Sequence, residues 1–435
     1  MAELTQPRIP GGMIEWLPGW QRRFNEMLSV IGQTYEMYGF TPISTPALEL
    51  TEVLLAKEGG ETEKQVFRIE EEGMVLHFDL TVPLARYVAQ YERELTFPFR
   101  RYQMQPVWRA EKPQHGRFRE FYQCDFDVIG ASSVQYDAEV PVIINDVLER
   151  LALGAFTIRV NNRKILNGLL EEMGCLNMAV EVLRTIDKME KSDPIVLSGA
   201  LENCGLAIEQ IDQLFAFLGI TGTSAQVIAQ LDSMSFNSHT FRKGTGELQT
   251  VVESACAAGV PKERIAIDLS IARGLDYYTG TVYETRMNDH PRIGSICSGG
   301  RFDNLARHYT TRDLPGVGAS IGLTRLFWQL VNAELIKPSS STPSQVMIAI
   351  IEQSATKYGL SIAQSLRNQK ISTEVYLEPD RLGRQLQHAA KKGIRYVVIV
   401  GGNEMSSETV TIKDLSGNSV QTTIPRSEIV RTITQ

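Results

Sequence analysis

The stretch FYQCDFDVIG, residues 121–130, alternates polar and apolar side chains one by one. Successive side chains of a β-strand point to opposite faces, so this pattern predicts a strand whose polar row is Gln123, Asp125 and Asp127. Such a row meets water on a half-solvated antiparallel strand, or it faces a bound polar ligand. Both interpretations are open on this stretch alone.

Two further stretches follow the same design. VLHFDLT, residues 75–81, predicts a strand with Asp79 and Thr81 on its polar face. In RIAIDLSIAR, residues 264–273, the alternation places Arg273 on the apolar, inward side. A guanidinium buried there requires an anion, which is either a ligand or a nearby aspartate such as Asp276.

A basic segment and a glycine-rich segment complete the candidate site. VWRAEKPQHGRFREF, residues 107–121, predicts a hairpin connection with four cations inside an acidic protein. It is either a phosphate site or a solvated hairpin tip. GVGASIGLTRLFWQL, residues 316–330, predicts a strand that leads into a helix with Arg325 near its start.

Composition limits the class of protein. The chain has 435 residues, 43% of them hydrophobic, and a formal net charge of -7, so we expect two or three domains and only regional contact with nucleic acid. The five cysteines form no CxxC pair, which argues against a zinc site and against secreted disulfides. With no apolar run of membrane-spanning length and no signal peptide, we predict a cytoplasmic protein without a metal site or a membrane anchor.

Changes in local composition along the chain indicate its domain organisation. Residues 166–258 are rich in helix-forming residues between strand-like flanks, which predicts a helical insertion. KPSSSTPSQ, residues 337–345, reads as a linker. After it, strands and helices alternate and a hairpin follows, which predicts a small α/β domain with a mostly parallel sheet.

Together these segments resemble the histidyl-tRNA synthetase family of class II aminoacyl-tRNA synthetases. RGLDYYTGTVYE (273–284) and CSGGRFDNL (297–305) are similar to that family's own signatures. TPISTPALE (41–49), residues 107–130 and GVGASIGLTRL (316–326) are similar to class II motifs 1, 2 and 3. The likeness extends over nearly the whole chain.

The resemblance implies an α+β catalytic domain on a mainly antiparallel sheet with flanking helices, a helical insertion, and a C-terminal α/β anticodon-binding domain. The expected limits are 1–165 and 259–336 for the catalytic domain, 166–258 for the insertion and 344–435 for the anticodon-binding domain. It also implies that ATP with Mg²⁺ activates histidine to histidyl-adenylate, and that tRNA(His) then accepts the histidyl group. A homodimer is implied by motif 1.

The resemblance also implies roles for individual residues. Arg109 and Arg273 would act on the reacting α-phosphate and carboxylate. The other expected contacts, by ligand, are histidine at Asp79, Thr81, Gln123, Asp127, Tyr277 and Tyr278; the nucleotide at Glu111, Arg117, Phe121 and Arg325; the tRNA acceptor end at Lys112 and Gln114; and the anticodon side at Arg381, Arg384, Lys391, Lys392 and Arg395.

Two rival functions are weighed against this one. A regulatory relative would keep the fold without making adenylate, but such proteins usually lose the catalytic arginines or the last domain. A prolyl or threonyl enzyme would share the tail domain, and the RGLDYY stretch, residues 273–278, argues against it.

Overall fold

The computed structural model describes residues 4–56, 66–69, 72–112, 116–187, 189, 193–272, 278–416 and 421–434. These residues form two compact units, one of residues 1–14 and 27–335 and the other of residues 15–26 and 336–435. The domain limits expected from the sequence stay predictions.

The strands of the described residues are, in chain order, β1 (Thr41–Pro42), β2 (Leu48–Leu50), β3 (Arg68–Ile69), β4 (Met74–Leu76), β5 (Phe99–Trp108), β6 (Glu120–Ile129), β7 (Phe156–Asn162), β8 (Ile265–Ile267), β9 (Thr281–Met287), β10 (Ser295–Phe302), β11 (Gly316–Gly322), β12 (Val346–Ile350), β13 (Thr373–Tyr376), β14 (Tyr396–Val400), β15 (Thr409–Asp414) and β16 (Gln421–Pro425).

The helices of the described residues are α1 (Pro18–Met37), α2 (Thr51–Leu54), α3 (Thr81–Gln90), α4 (Gln135–Leu151), α5 (Arg163–Glu172), α6 (Ala179–Ile186), α7 (Pro194–Asn203), α8 (Ile208–Leu218), α9 (Ser224–Ser233), α10 (His239–Ala257), α11 (Leu323–Asn332), α12 (Thr356–Asn368), α13 (Leu382–Lys392), α14 (Gly402–Ser407) and α15 (Ile429–Thr434).

The larger unit is built on an eight-stranded sheet of order β1-β5-β6-β11-β10-β9-β7-β8 among the described residues. The inner pairs are antiparallel, and only the edge pairs β1–β5 and β7–β8 are parallel. Antiparallel neighbours bring side chains directly opposite each other, so one face of the sheet can collect polar groups from several strands. The expected α+β class with a mainly antiparallel sheet is confirmed.

The smaller unit has a five-stranded sheet of order β13-β12-β14-β15-β16 in its described part. The first three strands are parallel and the last two form an antiparallel hairpin. Helices α12 and α13 connect the parallel strands, as crossovers of this kind require. The expected C-terminal α/β domain with a mostly parallel sheet is confirmed.

The strand predicted at residues 75–81 is wrong in its second half. Strand β4 ends at Leu76, and helix α3 begins at Thr81. The turn between them is buried and has no solvent-facing polar side. Its His77 ring lies 3.0 Å from the Pro46 carbonyl oxygen and 2.9 Å from that of Pro106. Asp79 is therefore a residue of a turn and not of a strand.

The strand predicted at residues 264–273 is also shorter than expected. Strand β8 ends at Ile267, and Asp268 then turns the chain by accepting the Ser270 N–H at 3.0 Å. Beyond it, the Asn161 amide donates to the carbonyl oxygens of Leu269 and Ile271. The isoleucine and leucine side chains stay buried through Ile271, although the backbone has left the sheet. Arg273 lies outside the described residues.

Candidate active site

The polar row of β6 is buried and meets a second polar row on β5. Gln123, Asp125 and Asp127 are 8%, 2% and 4% exposed, so the half-solvated interpretation is wrong for this strand. Across the antiparallel pair, the register sets Arg101 opposite Asp127, Gln103 opposite Asp125, and Gln105 opposite Gln123.

The turn before α3 brings a third carboxylate to this place. One oxygen of Asp79, Oδ1, accepts the Val82 N–H at 3.1 Å and so caps the first turn of the helix. The other, Oδ2, is buried without a hydrogen-bond partner among the described residues, as is Gln123 Oε1. Unpaired buried acceptors are costly, so this arrangement favours a ligand that donates hydrogen bonds.

Burial dominates the ionisation of all three carboxyl groups. It raises the pKa of Asp79 and of Asp125 from 3.8 to about 6, and that of Asp127 to about 7, although the nearby Arg101 guanidinium lowers each of them. Arg109 lowers the pKa of Asp79 and Asp125 as well. A positively charged ligand would hold these groups ionised, because an opposite charge favours the charged form.

Glycines form the floor beside Asp127. Gly318 of β11 lies opposite Asp127, and Gly300 of β10 lies opposite Gly318. A Cβ at Gly318 would overlap the Asp127 carboxylate and the Phe126 carbonyl, and a Cβ at Gly300 would come within 2.8 Å of the Tyr278 ring. Asp127 and Tyr278 therefore lie on the same sheet face, two strand spacings apart, or about 10 Å.

Arg109 follows the end of β5 and lies at the edge of this polar face. Its Nε donates to the Phe78 carbonyl oxygen at 3.1 Å, next to Asp79. Its guanidinium carbon lies 5.0 Å from the centre of the Phe121 ring, in cation–π contact. Arg109 and Phe121 thus meet beside the carboxylates; their roles toward a nucleotide stay predictions.

The start of α11 lies at the same end of β6. The Tyr122 N–H donates to the Thr324 hydroxyl at 2.8 Å, which joins that helix to the strand next to Phe121. Arg325 follows directly, and its Nη2 is 3.2 Å from the position of a Cβ at Gly294. The structure therefore brings Phe121 and the first turn of α11 together.

The hairpin connection carries an ion pair at its base. Arg117 Nη1 lies 3.2 Å from Glu111 Oε2, and both side chains reach solvent. Lys112 is exposed. Thr81 begins helix α3, two residues after Asp79.

Three of the expected site residues, Arg273, Tyr277 and Gln114, lie outside the described residues. Conversely, the polar row of β5 was not predicted from the sequence. Its signal was the alternation in FRRYQMQPVW, residues 99–108, where Arg101, Gln103 and Gln105 recur at every second position.

The expected basic patch of the smaller unit is partly neutralised. Ion pairs join Arg384 to Asp380 at 3.0 Å, Lys392 to Glu374 at 2.6 Å, and Arg395 to Asp414 at 3.2 Å. Surface pairs of this kind are weak, so they do not prevent these cations from binding phosphates. They do lower the net charge of the patch.

The mainly antiparallel sheet and the C-terminal mixed domain define a class II aminoacyl-tRNA synthetase, an ATP-dependent ligase. A protein-family model described as Histidyl-tRNA synthetase matches residues 12–326, and one described as Anticodon binding domain matches residues 345–435. The chain belongs to the histidyl-tRNA synthetase family.

Individual proteins give the same result. The chain is 46% identical to a histidine–tRNA ligase of Xanthomonas campestris, over 99% of this chain and 96% of that protein. It is 38% identical to a histidyl-tRNA synthetase of Nostoc sp. PCC 7120, with a TM-score of 0.89 and 99% of each chain covered. A Bacillus halodurans C structure described as an ATP phosphoribosyltransferase regulatory subunit/histidyl-tRNA synthetase shares the fold, at 21% identity, a TM-score of 0.75, and coverage of 91% of this chain and 99% of that one.

Proposed function

We propose that this chain is a histidine–tRNA ligase, which joins histidine to ATP as histidyl-adenylate and then transfers the histidyl group to tRNA(His). Family membership supports the reaction class. The observation that carries the assignment at the site is the set of three buried carboxylates, Asp79, Asp125 and Asp127, beside Arg109. Anionic and cationic surfaces thus adjoin, as a site for an amino acid and a triphosphate requires.

Histidine would bind over the polar rows. Its α-ammonium group would meet Asp79, Thr81 and Gln123. The unpaired acceptors Asp79 Oδ2 and Gln123 Oε1 suit an N–H donor. Its ring would lie over the glycine floor between Asp127 and Tyr278. Buried polar groups reject an apolar amino acid because they would then lose their partners.

ATP would bind at the Arg109 end of the sheet. The adenine would stack on Phe121, Arg109 would hold the α-phosphate, and Arg325 would reach the outer phosphates. Glu111 and Arg117 would complete the nucleotide contacts from the hairpin base. On the family resemblance, we propose that ATP enters as its Mg²⁺ complex.

Positioning and charge would drive the first step. The histidine carboxylate attacks the α-phosphorus and pyrophosphate leaves, so negative charge gathers where two anions meet. Guanidinium groups stabilise that charge through paired hydrogen bonds. We assign this work to Arg109 and, on the family resemblance, to Arg273, with Tyr277 beside the substrate ring.

Transfer RNA would contact both units. Lys112 and Gln114 are our candidates for the acceptor end, at the hairpin between β5 and β6. Our candidates for the anticodon side are Arg381 and Lys391, together with the three cations in surface pairs, Arg384, Lys392 and Arg395. All five cysteines are free, which agrees with work in the reducing cytoplasm.

A homodimer is proposed from the small sheet β2-β4-β3. Glu49 of β2 points inward and pairs with Arg86 at 2.6 Å, so its neighbours Leu48 and Leu50 point outward, with Leu50 51% exposed. The register continues this outward row from Leu50 through Met74 to Ile69. A strand that exposes leucine and buries glutamate is typical of a face that another protein surface covers.

The test is amino-acid-dependent exchange of pyrophosphate into ATP by the purified protein, run with each of the twenty amino acids. We expect exchange with histidine alone. Folded protein without exchange would favour the regulatory rival, and a response to proline or threonine above histidine would replace the assigned substrate. Charging of tRNA(His) by the same preparation tests the second step.

A further inference from the structure

Arg101 is a fully buried cation on the second strand of the larger sheet. It lies on β5 and is 0% exposed, and it is among the largest side chains with no contact to solvent. Burying a guanidinium is costly unless anions and hydrogen-bond acceptors surround it. Its surroundings therefore show what it holds in place.

Its guanidinium contacts both halves of the candidate histidine site. Nη2 lies 2.6 Å from Asp127 Oδ2 and 3.3 Å from the carbonyl oxygen of Leu80, to which it donates. Nη1 donates to Gln103 Oε1 at 3.4 Å. Leu80 joins Asp79 to Thr81, so one side chain connects that turn to the polar row of β6.

We infer that Arg101 is a positioning residue for histidine recognition, which favours the charged form of Asp127 and fixes the Asp79 turn relative to it. This inference rests on the proposed function, because it takes Asp127 as a contact of the bound histidine. Arg101 would act through these two groups and touch no substrate atom itself.

The charges around Arg101 explain why an apolar side chain could not replace it. Among the described residues, Arg101 lowers the pKa of all three carboxyl groups, Asp79, Asp125 and Asp127, whereas Arg109 lowers that of Asp79 and Asp125. Without Arg101, a buried acid takes up a proton rather than stay charged, and the charged acceptor is lost.

The experiment compares Arg101→Leu, Asp127→Asn and their double variant by exchange kinetics. We expect Arg101→Leu to raise KM for histidine about 10- to 100-fold, as the loss of a charged hydrogen bond does, while KM for ATP changes less than about threefold. In the double variant, the Arg101→Leu change should raise KM by a smaller factor than it does alone, because the part of its effect that passes through Asp127 is already lost. Arg101→Lys, which keeps the charge, should recover part of the affinity.

Arg100 provides the matched control. It is the neighbouring arginine on the other face of β5, and it pairs with Glu139 at 2.7 Å. Arg100→Leu removes an equal side chain without touching the polar row, so it should leave the ratio of KM for histidine to KM for ATP unchanged.

The outcomes separate this inference from the proposed function. If the wild-type protein gives no histidine-dependent exchange, the proposed function fails. If it does, and Arg101→Leu leaves KM for histidine unchanged or multiplies the defect of Asp127→Asn, the positioning role is overturned. Should Arg101→Leu not fold, the charge-neutral double variant decides, since a KM for histidine far above that of Asp127→Asn refutes the role.

Discussion

Gly318 and Asp127 lie opposite each other in register on β11 and β6, and the Asp127 carboxylate occupies the space where a Gly318 side chain would be. A Cβ at Gly318 would overlap both that carboxylate and the backbone carbonyl of Phe126. The glycine therefore does not serve chain flexibility. Its missing side chain leaves the space that the buried Asp127 carboxylate occupies.

Gly318→Ala should cripple histidine activation. The methyl group must displace Asp127 or push the two strands apart, and a displacement of about 1 Å at a reacting site costs about 100-fold in rate. We expect kcat/KM for histidine to fall by about that factor in the exchange assay. Gly246→Ala, in α10 and with open space at its Cβ, is the control and should keep its activity. Normal kinetics in Gly318→Ala would mean that Asp127 is not a substrate contact.

Asp79→Asn should stabilise the ligand-free protein at neutral pH. The folded-state pKa of about 6 exceeds the ordinary 3.8, so the folded state binds more protons between these values. Stability therefore falls as pH rises through that window, and the full penalty is present above it. The uncharged asparagine avoids it, by about 1 to 3 kcal/mol near pH 7.5 and by nothing near pH 4.

Thermal unfolding of Asp79→Asn and wild type at those two pH values measures the difference. Asp380→Asn is an opposite-sign control, because hydrogen bonds from Tyr376 and Arg384 lower the pKa of Asp380. An equal gain at both pH values for Asp79→Asn would show that the carboxylate charge is not the cause. Loss of histidine-dependent exchange should accompany the gain in stability.

Local patterns in the sequence were sufficient for much of the fold. The alternation in residues 121–130 predicts β6, and the glycine-rich stretch 316–330 predicts β11 and α11. The same reasoning failed at residues 77–81, where Asp79 and Pro83 mark the start of a helix. Over so few residues, alternating polar and apolar side chains fit a strand as well as the start of a capped helix.

The polar row of β5 shows what a local pattern cannot supply. Arg101 becomes meaningful only when Asp127 is known to lie opposite it, and that register joins residues 26 positions apart in sequence. Chain-local rules predict which residues share a strand face but not which strand lies beside it. The grouping of Asp79 with Asp125 and Asp127 is non-local in the same way.

Histidine activation should weaken as the pH falls from about 8 to about 6. Asp127, whose pKa is raised to about 7, then takes up a proton, and so do its neighbours Asp125 and Asp79 at about 6. Arg101 and Arg109, which stay charged, oppose this change but do not abolish it. Each protonation removes a charge that would attract the substrate ammonium group, so kcat/KM for histidine should fall up to tenfold per pH unit.

The reference for that pH profile is Asp127→Asn. Free histidine titrates in the same range, and both proteins share this substrate titration. The difference between their profiles therefore reports the carboxyl group. Parallel profiles would contradict the assignment of Asp127, and kcat/KM for ATP at saturating histidine should change little in the wild type.

Leu50→Glu should dissociate the proposed homodimer. The outward row of the small sheet would then carry a charge that is costly to bury at an interface. We expect sedimentation as a dimer for wild type and as a monomer for the variant at micromolar concentration. Ile195→Glu, at an even more exposed apolar position in α7, should stay dimeric. A wild-type monomer would refute the dimer itself.

Arg109→Lys should abolish most adenylate formation while the fold stays intact. Lysine keeps the positive charge, but it has neither the planar fork that binds two phosphate oxygens nor the Nε that donates to Phe78. Loss of one preorganised donor at a developing charge lowers kcat by about 100- to 1,000-fold. The exchange rate at saturating substrates measures this, with thermal unfolding as the check on folding. Arg312→Lys, at an exposed pair with Glu92, is the control and should be fully active. If Arg109→Lys exchanges at a near-normal rate, the arginine supports Phe121 and the Asp79 turn, and the reacting phosphate must be held by other cations.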